Sequence, residues 1–477
     1  MAKPWDQRSA AEQRRIQNGL VNATLVQMAL AHVPFTRAKL QKAGVDARLL
    51  RRVEDLKKVP MTMRRDVVDP VRNPDGPGAF ILKGTAEGVK RFSDRSVLWR
   101  VALSRLFGGE HVQALAIEAA SRSIHLHLSP GPGGPIPISY TRDDLDLLAR
   151  AGSRLAQVAG IDREDRLLNL VPFGATLDYW GVFYMAHGVG MTSLHTRREG
   201  ADLVQALAIG FASEPATAVA VPADEATTFP AAAAEAGVPL DALRVMLAVG
   251  RSLSRAERER LGEEFTRAGA PNVRIAAAYG PAEGRVLWGE CAVPAGTVET
   301  FGFHTYPDMD IVEIAQPDTG DALPDETPGE VVVTPLGFRG GGAPRWRTGD
   351  LALGGVTNRP CPNCGRQVPR VGPSVRRNAW QRRIVLGGRR VRFDFRDAAS
   401  ALAGAKDWQV ELRADDKAHD LFVYVVGSDS DVGPVISLYE AMERWGVAPT
   451  QIVLASEQEI ADKKRAVDSS WPRFSEI

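Results

Sequence analysis

The chain holds only three cysteines, and all three fall between positions 291 and 364. Cys361 and Cys364 form a C-x-x-C knuckle, with Pro362 and Asn363 as its turn residues. That spacing lets two thiolates face one tetrahedral ion at about 2.3 Å. Cys291 and His304 can supply the remaining pair. A Cys3His set suits zinc over magnesium, because thiolate and imidazole are borderline-soft donors. Four protein ligands leave no open position, so the ion would be structural. Such a clip constrains the fold strongly, since 291 and 304 must then return beside 361 and 364. Two other readings stay open: incidental thiols in a reduced chain, and a redox C-x-x-C pair.

At 477 residues the chain exceeds one ordinary domain and has ample apolar content for sizeable cores. Its 59 basic and 58 acidic residues leave a formal charge of +1, which exerts no global pull toward nucleic acid or membrane. No run approaches the roughly 18 consecutive apolar residues of a membrane span. The opening MAKPWDQRSAAEQRR is too polar for a secretory signal. The expectation is a cytoplasmic protein without nucleic-acid or membrane partners.

Apolar spacing predicts an amphipathic helix over 9–31, broken at His32-Val33-Pro34-Phe35, and a second helix over 36–43. Farther on, a helix over 142–158, a strand over 167–171, a helix over 179–188 and strands over 217–221, 245–249 and 274–278 alternate as in a layered α/β domain. Strands near 409–413, 421–426 and 451–454, with a helix over 435–445, predict a small α+β domain at the end. The fold class is therefore α/β, with a large N-terminal domain over 1–372 that includes the clip and a small C-terminal domain over 373–477.

Several stretches carry chemistry. Ser129-Pro130-Gly131-Pro132-Gly133-Gly134-Pro135 is a glycine-rich loop whose freed amides can cradle phosphate oxygens. Its three prolines remove donors, so a rigid structural turn is the competing reading. Lys83-Gly84-Thr85-Ala86-Glu87-Gly88-Val89-Lys90 lacks the G-K-[ST] end of a Walker loop and reads as a strand-to-helix turn. Phe173, Tyr179 and Trp180 either line a flat apolar pocket or belong to the core. Arginines crowd positions 376–392, which suits a hinge facing phosphates or CoA, or else a nucleic-acid patch.

The strings VPFTRAKLQKAGV, VEDLKKVPMTMRRDVV, SYTRDDL, YGPAEG and RWRTGD, in that order, resemble the phenylacetate-CoA ligases and their relatives, a branch of the acyl-adenylate-forming superfamily. The resemblance spans roughly 20–470 and is strongest at 30–66 and 279–370. It implies an ATP site: Ser129, Gly131, Gly133 and Gly134 at the phosphates, Tyr279 and Gly280 near adenine, and Arg347 and Asp350 in the R-T-G-D signature, with Asp350 accepting from the ribose hydroxyls. A carboxylate with two acceptor oxygens suits a vicinal diol. Glu283 would help hold Mg2+ on the phosphates, in keeping with that ion's preference for a carboxylate plus phosphate oxygens. The segment with Phe173, Tyr179 and Trp180 would form the acyl-pocket wall, and Cys291, His304, Cys361 and Cys364 would follow the family's order of metal ligands.

The chain departs from that pattern at several points. Residues 78–128 read as an inserted or divergent segment, no acidic residue stands at Gly250-Arg251-Ser252-Leu253, and no aspartate pair follows Arg376 or Arg377 at the hinge. Pro132 and Gly133 stand where hydroxyl residues are usual, Ala282 replaces a threonine, and the tail ADKKRAVD puts Asp462 in the place of the adenylation lysine, with Lys463 and Lys464 following. The resemblance implies a ligase that joins ATP to a small carboxylic acid, an aromatic one by default, and passes the acyl group to CoA. Lys463 or Lys464 would replace the displaced lysine. Two alternatives remain: an amine or carrier protein as acceptor, and a non-catalytic descendant that only binds nucleotide. ATP, Mg2+, structural Zn2+ and CoA are the cofactors and co-substrates so implied, and a homodimer is compatible with all of it.

Overall fold

The computed structural model describes residues 3–28, 33–83, 95–131, 134–196, 215–317 and 319–377, then 381–386, 389–394, 402, 406–414, 419–426, 435–436, 439–440, 449–465 and 474–476. They fall into two units, Met1–Arg376 and Arg377–Ile477.

In the first unit a hairpin comes first, β1 (His125–Ser129) against β2 (Ile136–Tyr140). The strands that follow are β3 (Arg166–Asn169), β4 (Thr192–His195), β5 (Ala218–Pro222), β6 (Val245–Val249), β7 (Arg274–Tyr279), β8 (Trp288–Glu290), β9 (Val293–Pro294) and β10 (Phe303–His304). β5 and β6 are apolar runs buried along almost their whole length, as strands covered on both faces should be. Their alternate residues enter two different cores. Ala218, Ala220, Val245 and Leu247 face one, while Val219, Val221, Met246 and Ala248 face the other.

β4, β3, β5, β6 and β7 run parallel. β8 then adds antiparallel to β7, and the ten-stranded sheet continues through β10 to two short strands at Val356–Thr357 and Arg370–Val371. A second, five-stranded sheet contains β11 (Asp310–Ala315), β12 (Ala322–Leu323), β13 (Gly329–Pro335) and β14 (Trp346–Ala352).

The helices match the expected α/β alternation, with ends moved by local chemistry. α1 is Ala10–Val26, with a capping box between Ser9 and Glu12. α2 is Pro34–Lys42 and begins at the proline that the sequence suggests as a breaker; a proline in the first turn has no amide to waste there. α3 is Arg95–Ser121, broken at Gly109 by a φ of 74°. It occupies much of the stretch that departs from the resembled family, while Gly84–Lys90 lies outside the described residues.

α4, Arg142–Ala159, starts from Thr141, whose side chain accepts from the Asp144 amide. The buried Asp144 carboxylate in turn accepts from the amides of Thr141 at 2.9 Å, Arg339 at 2.7 Å and Gly340 at 2.7 Å. One residue thereby caps a helix and fixes a loop almost two hundred positions away. α5, Leu177–Val189, packs with α4 on one face of the sheet, and α6, Arg255–Arg267, covers the other with Leu261 and Phe265.

In the second unit the main sheet has four strands, of which Trp408–Ala414 and His419–Val426 form the central antiparallel pair. α7, Glu457–Arg465, sets the fully buried Ile460 against Tyr424 and Ala455. This is the small α+β domain that the pattern predicts. Only 435–436 and 439–440 of the expected helix over 435–445 are described.

Asp310 is a buried carboxyl at the start of β11. Trp288 Nε1 donates to its Oδ2 at 2.7 Å, and its Oδ1 has no hydrogen-bond partner. Burial pushes its pKa up to about 7, against the opposing Trp288 bond. Because the folded pKa is raised, the unfolded chain loses this proton first as pH rises. The associated stability is complete below about pH 4 and is lost as pH rises through 7, a penalty on the order of 4 kcal/mol when fully ionised. Asp310→Asn keeps an acceptor for Trp288 and should flatten the fall in urea-unfolding stability between pH 5 and about pH 8; a variant with the wild-type slope would contradict the assignment.

Candidate active site

The carboxyl ends of the parallel strands gather most of the nucleotide residues expected from sequence. Tyr279 closes β7, and its hydroxyl donates to Asp350 Oδ2 of β14 at 2.6 Å. Both are buried. Asp350 is further held by Thr348, whose Oγ1 accepts from the Asp350 amide at 3.0 Å. Gly280 follows at a close backbone approach, where an added Cβ would lie 2.1 Å from the Val286 carbonyl oxygen. The chain then turns through Ala282–Gly284, which holds the largely buried Glu283, and packs that turn beside β1, β13 and β14. Glu283 also lies near enough to the Tyr140 phenol to help push its pKa up, after burial and alongside Asp144.

Two arginines that sequence reasoning passed over organise this region. Arg285 adopts a left-handed backbone, φ 69°, and is fully buried. It donates to the Ser139 carbonyl at 2.7 Å and the Gly341 carbonyl at 2.5 Å, and its guanidinium lies 5.0 Å from the Tyr140 ring centre. Burial lowers its pKa, while Tyr140 and Asp144 oppose that shift. Arg64 lies beneath the glycine-rich loop, donating to Ser129 Oγ at 3.3 Å, to the Ser129 carbonyl at 3.1 Å and to the Gly134 carbonyl. A Cβ on Gly131 would meet that guanidinium at 2.8 Å, and Gly131 and Gly134 both have positive φ. Gly133 lies outside the described residues. Neither arginine shows a sequence pattern of its own, since each acts through main-chain carbonyls.

Arg347 of the R-T-G-D signature is engaged elsewhere. Its Nε donates to Glu330 Oε2 at 2.9 Å, with further bonds to the Pro317 carbonyl and Met63 Sδ. Thr62 bonds the backbone on both sides of Trp346, 2.9 Å to Arg345 O and 2.8 Å from Arg347 N. The N-terminal V-P-M-T string is thereby stitched to the strand that bears Asp350.

Phe173, Tyr179 and Trp180 meet as an edge-on aromatic cluster, with centroids 5.0 Å apart for Phe173 and Tyr179 and 5.3 Å for Tyr179 and Trp180. Phe173 is 64 % exposed whereas Tyr179 is buried. His125 and His127 of β1 and His195 of β4 join the cluster. His195 is fully engaged, 3.0 Å from both Asn169 Nδ2 and Ser193 Oγ.

The four clip residues converge as expected, with their donor atoms all within 4.8 Å of one another. The sulfurs of Cys291 and Cys361 are 3.8 Å apart, about the edge of a tetrahedron whose corners lie ~2.3 Å from its centre. His304 Nδ1 lies 3.1 Å from the Gly289 carbonyl, and Nε2 is turned inward, 3.3 Å from Cys364 Sγ. A carbonyl that fixes the outer ring nitrogen is the usual support for a metal-binding imidazole. The thiols lean on one another: hydrogen bonds from Cys291 and Cys361 push Cys364 down, and the same contacts push Cys291 up. Asp6 pairs with Arg366 at 3.1 Å, which fastens the N-terminal segment to the knuckle.

In the second unit, Lys463 donates to Glu411 at 2.7 Å and lies 4.0 Å from the Tyr424 ring centre. Burial works against its charge, but Glu411 and Tyr424 outweigh it and raise its pKa. Lys464 pairs with Asp407.

No family model matches the chain. It is 26% identical over 357 residues to the phenylacetate-coenzyme A ligase of Thermus thermophilus, a match covering 74% of this chain and 68% of that protein. The solved structure of 2-hydroxyisobutyryl-CoA ligase in the postadenylation state, with R3-HIB-AMP, matches at TM-score 0.68 and 18% identity, over 99% of this chain and 91% of that one. The same ligase with 2-HIB-AMP and CoA in the thioesterification state gives 0.60 at 18% identity, over 100% and 94%. The chain shares the fold of these CoA ligases. Its sequence similarity is to a phenylacetate-coenzyme A ligase.

Tyr279→Phe keeps the ring and removes the hydroxyl that donates to Asp350 Oδ2. Hydrogen bonds to charged groups contribute about 1.5–3 kcal/mol, so thermal or urea unfolding should register a loss of that order; unchanged stability would mean that the bond is not formed in solution.

Proposed function

We propose that this chain activates a carboxylic acid with ATP, forming an acyl-adenylate and pyrophosphate, and then passes the acyl group to CoA. What supports this reading most is the meeting of Ser129, Tyr279, Glu283 and Asp350 around strand ends in a chain that resembles a phenylacetate-CoA ligase. An open crevice beyond the carboxyl ends of parallel strands is the general ligand position in such sheets.

On this reading Asp350 binds the ribose diol after exchanging the Tyr279 hydroxyl for it, and the Tyr279 ring stays beside adenine. Ser129, Gly131, Gly133 and Gly134 receive the phosphates, with Arg64 bracing the loop from below. Glu283 offers the hard carboxylate oxygen that Mg2+ prefers. Magnesium, when bound, neutralises phosphate charge as the carboxylate attacks. The aromatic cluster of Phe173, Tyr179 and Trp180 favours a flat acid, and holding it in line with the α-phosphorus supplies rate through positioning.

Lys463 or Lys464, from a C-terminal domain spanning 373–477, takes the part of the displaced tail lysine and must first leave its present carboxylate partner. A structural zinc ion in the Cys291, His304, Cys361 and Cys364 set suits both the donor chemistry and the 3.8 Å sulfur spacing.

Pyrophosphate release from ATP and Mg2+ should depend on one acid within a panel of aryl and short alkyl acids, and AMP formation should rise when CoA is added. No release with any acid, from folded protein, would count against adenylation; release indifferent to CoA would point to an amine or carrier-protein acceptor. Asp350→Ala should raise the KM for ATP by at least about tenfold, since a charged hydrogen bond contributes roughly 1.5–3 kcal/mol, with a smaller effect on the acid's KM. Cys361→Ser should lower metal content and melting temperature together, because metal-binding free energy at such a site is folding free energy. Full zinc stoichiometry in that variant would refute the clip.

A further inference from the structure

β1 runs directly into the glycine-rich loop, and its alternation separates two faces. Leu126 and Leu128 point outward, 45% and 38% exposed, whereas His127 and Ser129 are buried and His125 is partly so. Two strand residues span roughly 6–7 Å, about the length of an aryl acid from its carboxyl carbon to a far ring substituent. His127 therefore lies about one aryl acid's length along the strand from Ser129, on the same face. The Leu128 amide donates to the Ala175 carbonyl at 2.5 Å, which ties this strand to the segment bearing Phe173.

His127 is 0% exposed, and neither of its ring nitrogens has a hydrogen-bond partner. His125 Nε2 is buried and unpartnered too. His127 lies nearly parallel to Trp180, 14° between planes at 6.5 Å, and His125 meets Trp180 edge-on at 4.6 Å. Burial, with the nearby positive charge of Arg285 and the His125 ring assisting, pushes the His127 pKa down to about 2, so the ring is neutral. A neutral imidazole offers one donor and one acceptor. Leaving both unmade in a protein interior is costly and calls for an explanation.

We propose that His127, assisted by His125, is the polar end of the acid site and selects an aromatic acid bearing a ring hydroxyl. This rests on the adenylation reading above. A hydroxyl both accepts and donates, which matches a neutral imidazole. A second carboxylate could only accept, which leaves the acceptor nitrogen of the imidazole without a donor. An ammonium could only donate. His195, the third histidine of the cluster, already has partners on both nitrogens and plays no part in the selection.

The test compares matched aryl acids with and without a ring hydroxyl, using pyrophosphate release by the full chain, His127→Phe and His127→Gln. Sites built to hydrogen-bond a substrate hydroxyl discriminate strongly against its absence, so kcat/KM should favour the hydroxylated acid by about 100-fold or more. His127→Phe should lose most of that ratio through the hydroxylated acid alone, and His127→Gln should keep part of it. A wild type indifferent to the hydroxyl, or a variant that loses both acids equally, would overturn the proposal. If His127→Phe fails to fold, the His127→Gln ratio decides.

If no acid releases pyrophosphate, adenylation fails separately, and calorimetry with nitrogen-15 imidazole shifts settles this inference. Binding of the hydroxylated acid that moves the His127 nitrogens, with no such shift from the bare acid, supports it. Absence of binding by both acids overturns it.

Discussion

A single guanidinium, buried and solvated by main-chain carbonyls, holds the candidate site together. Arg285 follows directly on the turn that bears Glu283, and its two donors reach Ser139 in the β1–β2 hairpin and Gly341 ahead of β14. Three segments far apart in sequence are thus fixed by one side chain: the hairpin that opens into the glycine-rich loop, the Glu283 turn and the strand with Asp350. Removing a charge from water is expensive unless its hydrogen bonds are replaced. The carbonyls and the faces of Tyr140 and Phe338, at 5.0 and 5.6 Å, do part of that, although Nε has no partner. The left-handed backbone at this position is the conformational cost of aiming the side chain inward.

Around that centre, rigidity comes from the sheet. β5 and β6 send alternate residues into two cores, so they cannot shift register without exposing both. Tyr279 and Asn169 end strands of this layer, and the side chains that converge there stand on elements which cannot drift. The four-residue clip works on the antiparallel side of the same sheet, drawing Cys361 and Cys364 against Cys291 and His304.

Much of this was legible in the sequence because the signals were local or periodic. The unbroken apolar runs of β5 and β6, the helix expected over 142–158 and the C-x-x-C knuckle each report on structure within a few residues. Cys291 stands out as the third of three cysteines, whereas His304, one of eight histidines, is singled out by the ligand order that the resemblance implies. The departures have equally physical causes. Arg347, inside a strong signature, bonds Glu330 and the Pro317 carbonyl, a partnership no spacing reveals. Arg64 and Arg285 act mainly through carbonyls, which every residue possesses, so although both stand in or beside quoted strings their partners cannot be read from the sequence. His125 and His127 alternate with leucines and look like an ordinary strand; only burial without partners sets them apart.

Asp144 has a consequence for where charge can settle. A helix start combined with free loop amides is a natural seat for an anion. Here the amides of Thr141, Arg339 and Gly340 already enclose a carboxylate that belongs to the chain itself. That cradle is filled from within, and no phosphate or sulfate can displace a ligand tethered to its own backbone. The molecule thus carries a resident anion in this nest, and an incoming one finds its amides already taken.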